Sequence, residues 1–334
     1  MNPAPLMEID RVSKRFVKPL DLAEKIARRL GADVAEEVVH AVDDVSFTVA
    51  EGEVVGLVGE SGCGKSTLGR MVAGILPPSA GAIRYRGKET AAMSPQEAKQ
   101  AALKVQMIFQ DPFASLNPRM RVADIVGEAP LVHGIVSKEG LDAYLDEVLR
   151  RCGLDPGYKR RYQHQFSGGQ KSRIGIARAL AVKPDFLVCD EAVAALDVSI
   201  QAQILNLFME LRRGLALTYL FISHDLGVVE HLADRVVIMY LGRVVESAAS
   251  EDIFRAPNHP YTQALLKQVP RLETRRTKFQ PIVGEIPSPL APPAGCHFHP
   301  RCPHAMPRCK TEAPALREVA PGHRSACHLN DVSR

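Results

Sequence analysis

The nine residues GESGCGKST at positions 59–67 constrain this chain more than any other stretch. They fit G-x-x-x-x-G-K-[ST] and follow a short apolar run, VVGLV (54–58). After them, Leu68, Met71, Val72, Ile75 and Leu76 recur at helical spacing until Pro77-Pro78 stops the pattern. The spacing predicts strand, tight loop, then a helix over 65–76. Gly59, Gly62 and Gly64 let the loop wrap an anion with its N–H groups turned inward, and the helix adds its positive end near Lys65. Lys65 is a point charge for outer phosphates, and the Ser66 hydroxyl suits Mg²⁺. Glu60, Ser61, Cys63 and Thr67 complete the candidate cradle. A bare glycine turn would need neither the lysine nor the hydroxyl. The stretch reads as a nucleotide site.

The rest of the pattern is α/β. Residues 41–58 read as two strands parted by a turn at Glu51-Gly52, and FLVCD (186–190) and YLFIS (219–223) suit buried parallel strands. Helical patterning dominates between about 115 and 182, which predicts a helical subdomain inserted between sheet strands. KPLDLAEKIARRLGADVAEEV (18–38) places Leu22, Ile26 and Leu30 on one face, read as a surface helix packed on its own domain ahead of a partner or membrane contact. Beyond about residue 255 proline becomes dense, so 255–334 is expected to be a loop-rich appendage to a 1–254 core.

No segment holds the ~18 uninterrupted apolar residues of a membrane-spanning helix, and the N-terminus lacks a basic start with an apolar core. The expectation is a cytosolic chain, where disulfides are rare. Net charge is +4 in 334 residues, so the basic runs at 158–163 and 271–278 read as solvated faces and no nucleic-acid partner is expected.

A phosphate loop alone leaves GTPases, kinases, helicases and transport ATPases open. FSGGQ (166–170) narrows the choice. Ser167, Gly168, Gly169 and Gln170 open the helical run KSRIGIARAL and form a second anion-ready terminus about a hundred residues after the first. One nucleotide rarely needs both from one chain, whereas two chains set head to tail would each supply one. Here the chain resembles the ATP-binding cassette (ABC) family, whose signature is LSGGQ, with Phe166 in its first place.

The resemblance implies roles for the remaining motifs. FLVCDE matches the Walker B strand, with Asp190 for Mg²⁺ and Glu191 as the residue that orients and polarises water. AALD (194–197) matches a loop crossing the cassette dimer. His224 in FISHDL matches the switch histidine, Gln110 in MIFQDP the loop glutamine near Mg²⁺, and Phe16 in VSKRF the ring that stacks on adenine. Ala192 stands where the family has proline, and Lys171-Ser172 replace its usual pair after the signature; neither change removes a catalytic group. The implied activity is ATP hydrolysis, with closure of two cassettes moving attached membrane subunits.

A soluble ABC ATPase acting on nucleic acid or ribosomes fits less well: no long coiled coil separates the two motifs, and the chain has one cassette. Intact Lys65, Asp190, Glu191 and His224 argue against a binding module without hydrolysis. IFQDPFASLNPRM (108–120), ALDVSIQAQ (195–203), MYLGRVVE (239–246), HPYTQALL (259–266) and GEIPSPLAPPAGCHFHPRCP (284–303) resemble bacterial oligopeptide and dipeptide importers. That resemblance implies two permease subunits, a second and different cassette, an extracytoplasmic solute-binding protein, and a place on the cytoplasmic face of the inner membrane. Nickel, opine and some sugar importers share this cassette type.

Four of the seven cysteines, Cys296, Cys302, Cys309 and Cys327, crowd the last forty residues. Free thiols, a zinc site and an iron–sulfur cluster are all open on spacing, although zinc usually takes paired C-x-x-C knuckles that are missing here. The resemblance tips the balance, because importer cassettes with such a tail include members carrying a [4Fe-4S] cluster. It implies these four thiolates as ligands, with His297, His299, His304, His323 and His328 outside the first sphere.

Overall fold

The computed structural model describes residues 4–20, 29–30, 36–111, 115–268, 282 and 284–331. Strands β1 (Met7–Lys18) and β2 (Glu37–Val49) pair antiparallel, and β3 (Val54–Val58) leaves that ribbon for another sheet. β4 (Ala80–Tyr85) and β5 (Lys88–Glu89) return to β1, giving a four-stranded antiparallel sheet of order β2-β1-β4-β5. β6 (Val105–Ile108), β7 (Phe186–Asp190), β8 (Thr218–Ser223), β9 (Arg235–Tyr240) and β10 (Arg243–Ala249) join β3 in the main sheet. Two short tail strands, β11 (Arg317–Ala320) and β12 (His323–Ser325), extend it to eight, in the order β11-β12-β10-β9-β3-β8-β7-β6. The strands from β9 through β3, β8 and β7 to β6 are parallel; β10, β12 and β11 run antiparallel.

Period-two alternation explains why the parallel strands read as unbroken apolar runs. Val54 and Val58 of β3 and Tyr219 and Phe221 of β8 enter one core layer with the helical subdomain. Val55 and Leu57, with Leu220 and Ile222, enter a second layer against β1, β2 and β4. Both faces are buried, so no polar position interrupts either strand.

The expected helical subdomain is present: helices Val122–Val132, Leu141–Arg151 and Gly168–Leu180 fall between β6 and β7 and share one apolar layer through Val126, Leu149 and Ile176. The helix after the phosphate loop stops at Val72, four residues short of the expected Leu76, because Gly74 turns the chain at φ 71°. The antiparallel sheet was outside the sequence reading. Of the 18–38 segment, Leu22 and Ile26 lie outside the described residues, and Leu30 is exposed.

The tail is loop-rich but closely docked. β12 pairs with β10 through Glu246 opposite Ser325. Phe298 is 1% exposed and belongs to the main core layer, in edge-to-face contact with Tyr240 at 5.3 Å between ring centres. The tail adds side chains to the core of the first unit and makes none of its own.

Candidate active site

The cleft lies at the carboxyl ends of the parallel strands, where β3 turns into the phosphate loop and β7 ends in Asp190, with Glu191 next in the chain. It is a cavity of ≈ 360 Å³ whose walls include Phe16, Ser61, Gly62, Gly64, Lys65, Ser66, Thr67, Gln110 and Glu191. Two glycines are sterically required. Gly64 sits at φ 103° with the place of a Cβ 2.1 Å from the carbonyl of Ala41, and a Cβ on Gly59 would lie 2.2 Å from the carbonyl of Met239.

Lys65 is 4% exposed and its Nζ donates to the carbonyls of Gly59 (2.8 Å) and Glu60 (3.0 Å), so the ammonium is held over the loop. Ser66 Oγ donates to Asp190 Oδ1 at 2.8 Å. Burial pushes the Asp190 carboxyl up, and the Ser66 hydrogen bond opposes that shift. A hydroxyl, a buried carboxylate and the nearby Gln110 amide make an all-oxygen donor set, the chemistry Mg²⁺ takes.

Glu191 stands at φ 48°, outside ordinary β-carbon space, and its backbone N–H is tied to the Ile222 carbonyl at 3.0 Å. Gln110 Nε2 donates to Glu191 Oε2 at 2.7 Å, and His224 Nδ1 lies 3.3 Å from Oε1. Three residues from three separate motifs therefore meet at one carboxylate.

Ser167, Gly168, Gly169 and Gln170 are not among the residues lining this cleft. Ser167 caps the helix they begin: its Oγ accepts from Gln170 N at 3.4 Å while Gln170 Oε1 accepts from Ser167 N at 3.1 Å. Gly169 packs on the next helix, where a Cβ would meet Ile200 Cγ2 at 2.5 Å. Ser172, one of the departures, donates to the Gly168 carbonyl at 3.2 Å and tightens the same turn.

Several wall residues escaped the sequence reading: Val39, Ala41 and, from the tail, Pro289. None carries a motif, and only the fold brings them to the cleft. Among the described residues, no group of three or more His, Cys, Asp or Glu is placed to hold a metal ion, the tail cysteines included. The tail thiols are nevertheless neighbours. Cys296 N donates to the Cys309 carbonyl at 2.8 Å, and Cys327 is pushed up to about 11, chiefly by burial, with the charges of the other three thiols acting in the same direction. Among the described residues, no helix is long and apolar enough to cross a membrane.

Fold and cleft together define a P-loop ATPase of the cassette type. Residues 42–194 match the family model described as ABC transporter, and residues 245–309 match the one described as oligopeptide/dipeptide transporter, C-terminal region. A Brucella ovis protein is 52% identical over 292 residues, 87% of this chain and 92% of its own length. The oligopeptide transport ATP-binding protein AppF of Bacillus subtilis is 50% identical over 295 residues, 87% of this chain and 90% of its own. Among solved structures, the ATP-binding cassette MJ0796 in a dimeric post-hydrolysis state with ADP and Pi is similar at a TM-score of 0.61 and 25% identity, over 73% of this chain and 98% of that one. The chain belongs to the ABC transporter ATP-binding proteins, in the branch that carries the oligopeptide/dipeptide C-terminal region. ATP and Mg²⁺ are the substrate and cofactor that membership implies.

Proposed function

We propose that this chain energises import of di- and oligopeptides, as one of two cassettes beneath two permease subunits on the cytoplasmic face of a bacterial inner membrane. The observation that carries the reading is the union, in one chain, of a phosphate-loop cleft lined by Lys65, Ser66, Gln110 and Glu191 with the oligopeptide/dipeptide C-terminal region at 245–309. An extracytoplasmic binding protein delivers the solute, and the second cassette is a different chain. In this reading residues 1–254 are the nucleotide-binding domain, with its helical subdomain at 115–182, and 255–334 the transporter-type extension.

Each cleft residue has a task. The loop N–H groups and Lys65 hold the polyphosphate, and Phe16, half exposed at the cleft's mouth, offers a face to the base. Ser66, Asp190 and Gln110 would hold Mg²⁺, which when bound neutralises phosphate charge. Glu191 orients the attacking water and takes its proton, with Gln110 and His224 fixing the carboxylate. Ser167 to Gln170 face a second cassette and complete that chain's site.

The [4Fe-4S] reading of the tail is supported by the gathering of four cysteines in the last forty residues, since such a cluster takes four thiolates; among the described residues no three of them are placed to hold a metal ion. Cys296, Cys302, Cys309 and Cys327 would be its ligands.

The test is uptake of a labelled tripeptide by cells whose only copy of this chain is Glu191→Gln. Uptake should fall to background. Unchanged uptake, with loss of nickel, opine or sugar uptake instead, would move the chain to another solute class. Iron, sulfide and zinc content of anaerobically purified protein, beside Cys302→Ser, tests the cluster: zinc alone or no metal sinks it.

A further inference from the structure

The ATP cleft has a support outside the cassette motifs. Arg301, from the tail, is buried with its side chain 4% exposed, and its guanidinium forks onto Glu60, the second residue of the phosphate loop. Nη1 donates to Glu60 Oε2 at 2.7 Å and Nη2 to Oε1 at 3.0 Å. Nη1 also reaches the Tyr240 hydroxyl at 3.3 Å. Glu60 is held by its backbone too: its N–H donates to the Tyr261 hydroxyl at 2.9 Å, and its carbonyl accepts from Lys65 Nζ. Tyr261 and Arg301 both belong to the tail, so the tail grips this loop residue by side chain and main chain at once.

A carboxylate in a loop shaped for a polyanion is electrostatically out of place. Left free, Glu60 would repel the phosphates and draw on Lys65. The fork neutralises it, and bidentate geometry fixes its direction as well as its charge. The platform under the fork is a cluster of buried rings: Tyr240, Tyr261 and Phe298 meet in tilted and edge-to-face contacts with ring centres 4.7 to 5.4 Å apart. Arg301 sits one residue before Cys302, in the turn where Cys296 N bonds the Cys309 carbonyl, so the cysteine turn determines where the guanidinium stands. A second tail contact reaches the cleft wall, where His40 N donates to the Pro289 carbonyl at 3.0 Å and Pro289 lines the cavity with Phe16.

We propose that Arg301 is a positioning residue for nucleotide binding: by neutralising and anchoring Glu60 it holds the phosphate loop in its anion-accepting form, so that the tail sets the cleft's affinity for ATP. The proposal rests on reading residues 59–67 as the ATP site and adds a control over that site from outside the cassette motifs.

The test is a titration of the full chain with trinitrophenyl-ATP, displaced by ATP, for wild type, Arg301→Met, Glu60→Gln, the double variant and Lys65→Met. Arg301→Met should weaken ATP binding tenfold or more, because an unpaired carboxylate is left in the loop. Adding Glu60→Gln should bring affinity back to within threefold of wild type, since the charge in need of a partner is gone. A merely structural role for Arg301 predicts no such rescue. A folded Arg301→Met chain that binds within twofold of wild type overturns the proposal, and so does a double variant as weak as the single. Should Arg301→Met fail to fold, Arg301→Lys keeps the charge without the fork; a threefold loss is then expected, and unchanged binding overturns the proposal. If Lys65→Met binds as wild type does, the site reading itself has failed. If Lys65→Met loses binding while the Arg301 variants keep it, only the coupling has failed.

Discussion

His224 Nδ1 lies 3.3 Å from one carboxylate oxygen of Glu191, while Gln110 Nε2 donates to the other at 2.7 Å. The three residues come from three loops that follow three neighbouring parallel strands, β6, β7 and β8. Strand order, rather than sequence proximity, makes them partners. Glu191 also carries a positive φ of 48° and a backbone tie to Ile222, so carboxylate and main chain are both fixed before any ligand arrives. Preorganisation of this kind suits the water-orienting role proposed for Glu191, which asks for little reorganisation during the reaction.

Glu191→Gln keeps the size and one acceptor oxygen but cannot take a proton. Phosphate release should fall by roughly 10²–10⁴-fold, while ATP affinity stays within about threefold. Phosphate-release kinetics beside an equilibrium binding titration make the comparison. A variant retaining a tenth of the wild-type rate would remove Glu191 from the chemistry.

Gly169→Val tests the division of labour between two chains. A Cβ there meets Ile200 at 2.5 Å, so the first turn of the signature helix must shift. Because Gly169 lies outside the cleft of its own chain, ATP binding by the isolated chain should change less than about twofold. ATP-dependent association with a second cassette should be lost, with hydrolysis down at least about 10²-fold, since the helix terminus proposed to meet the partner's nucleotide is displaced. Sedimentation with and without ATP reads the first effect. Normal association would show that the SGGQ turn is not the surface that meets the partner.

How much of this was legible beforehand follows the physics of each feature. Gly59, Gly64, Lys65 and Ser66 were readable because one short loop must supply turn, charge and hydroxyl together. The strands β7 and β8 were readable because burial on both faces leaves an unbroken apolar run. Gln110 and His224 were visible only through family resemblance, for a lone glutamine or histidine carries no pattern. Arg301, Tyr261 and Pro289 were assigned no part in the cleft: their partners lie 241, 201 and 249 positions away in the chain at Glu60 and His40, and no periodicity encodes such a meeting. The antiparallel sheet was missed for a related reason, since β1 pairs with β2 and β4 across stretches whose spacing announces no hairpin.

Phe298→Ala tests whether the tail is part of the core. The ring is fully buried against Tyr240 and Tyr261, so its removal leaves a cavity beneath the phosphate loop. A loss of about 3–5 kcal/mol is expected, read as a shifted urea midpoint. A cost under about 1 kcal/mol would mean that the tail rests on the sheet without sharing its core.

His259 gives the tail an acid limit. Its ring is 1% exposed, and its Nδ1 accepts from Tyr261 N at 3.1 Å, capping the helix Pro260–Leu266. Burial pulls its pKa down to about 4, from 6.5 in the unfolded chain, with a backbone hydrogen bond at Ala326 opposing the shift. Between those values the unfolded chain binds a proton that the folded chain refuses. The contribution is therefore whole above about pH 6.5 and is lost as pH falls towards 4, the loss growing to roughly 3 kcal/mol at the acid end. His297, also lowered by burial, works in the same direction. His259→Asn keeps a capping acceptor and does not titrate. Melting temperatures at pH 7.5 and pH 5 should therefore differ less in the variant than in wild type. Parallel curves would place the acid sensitivity of the tail elsewhere, with His297 the next residue to replace.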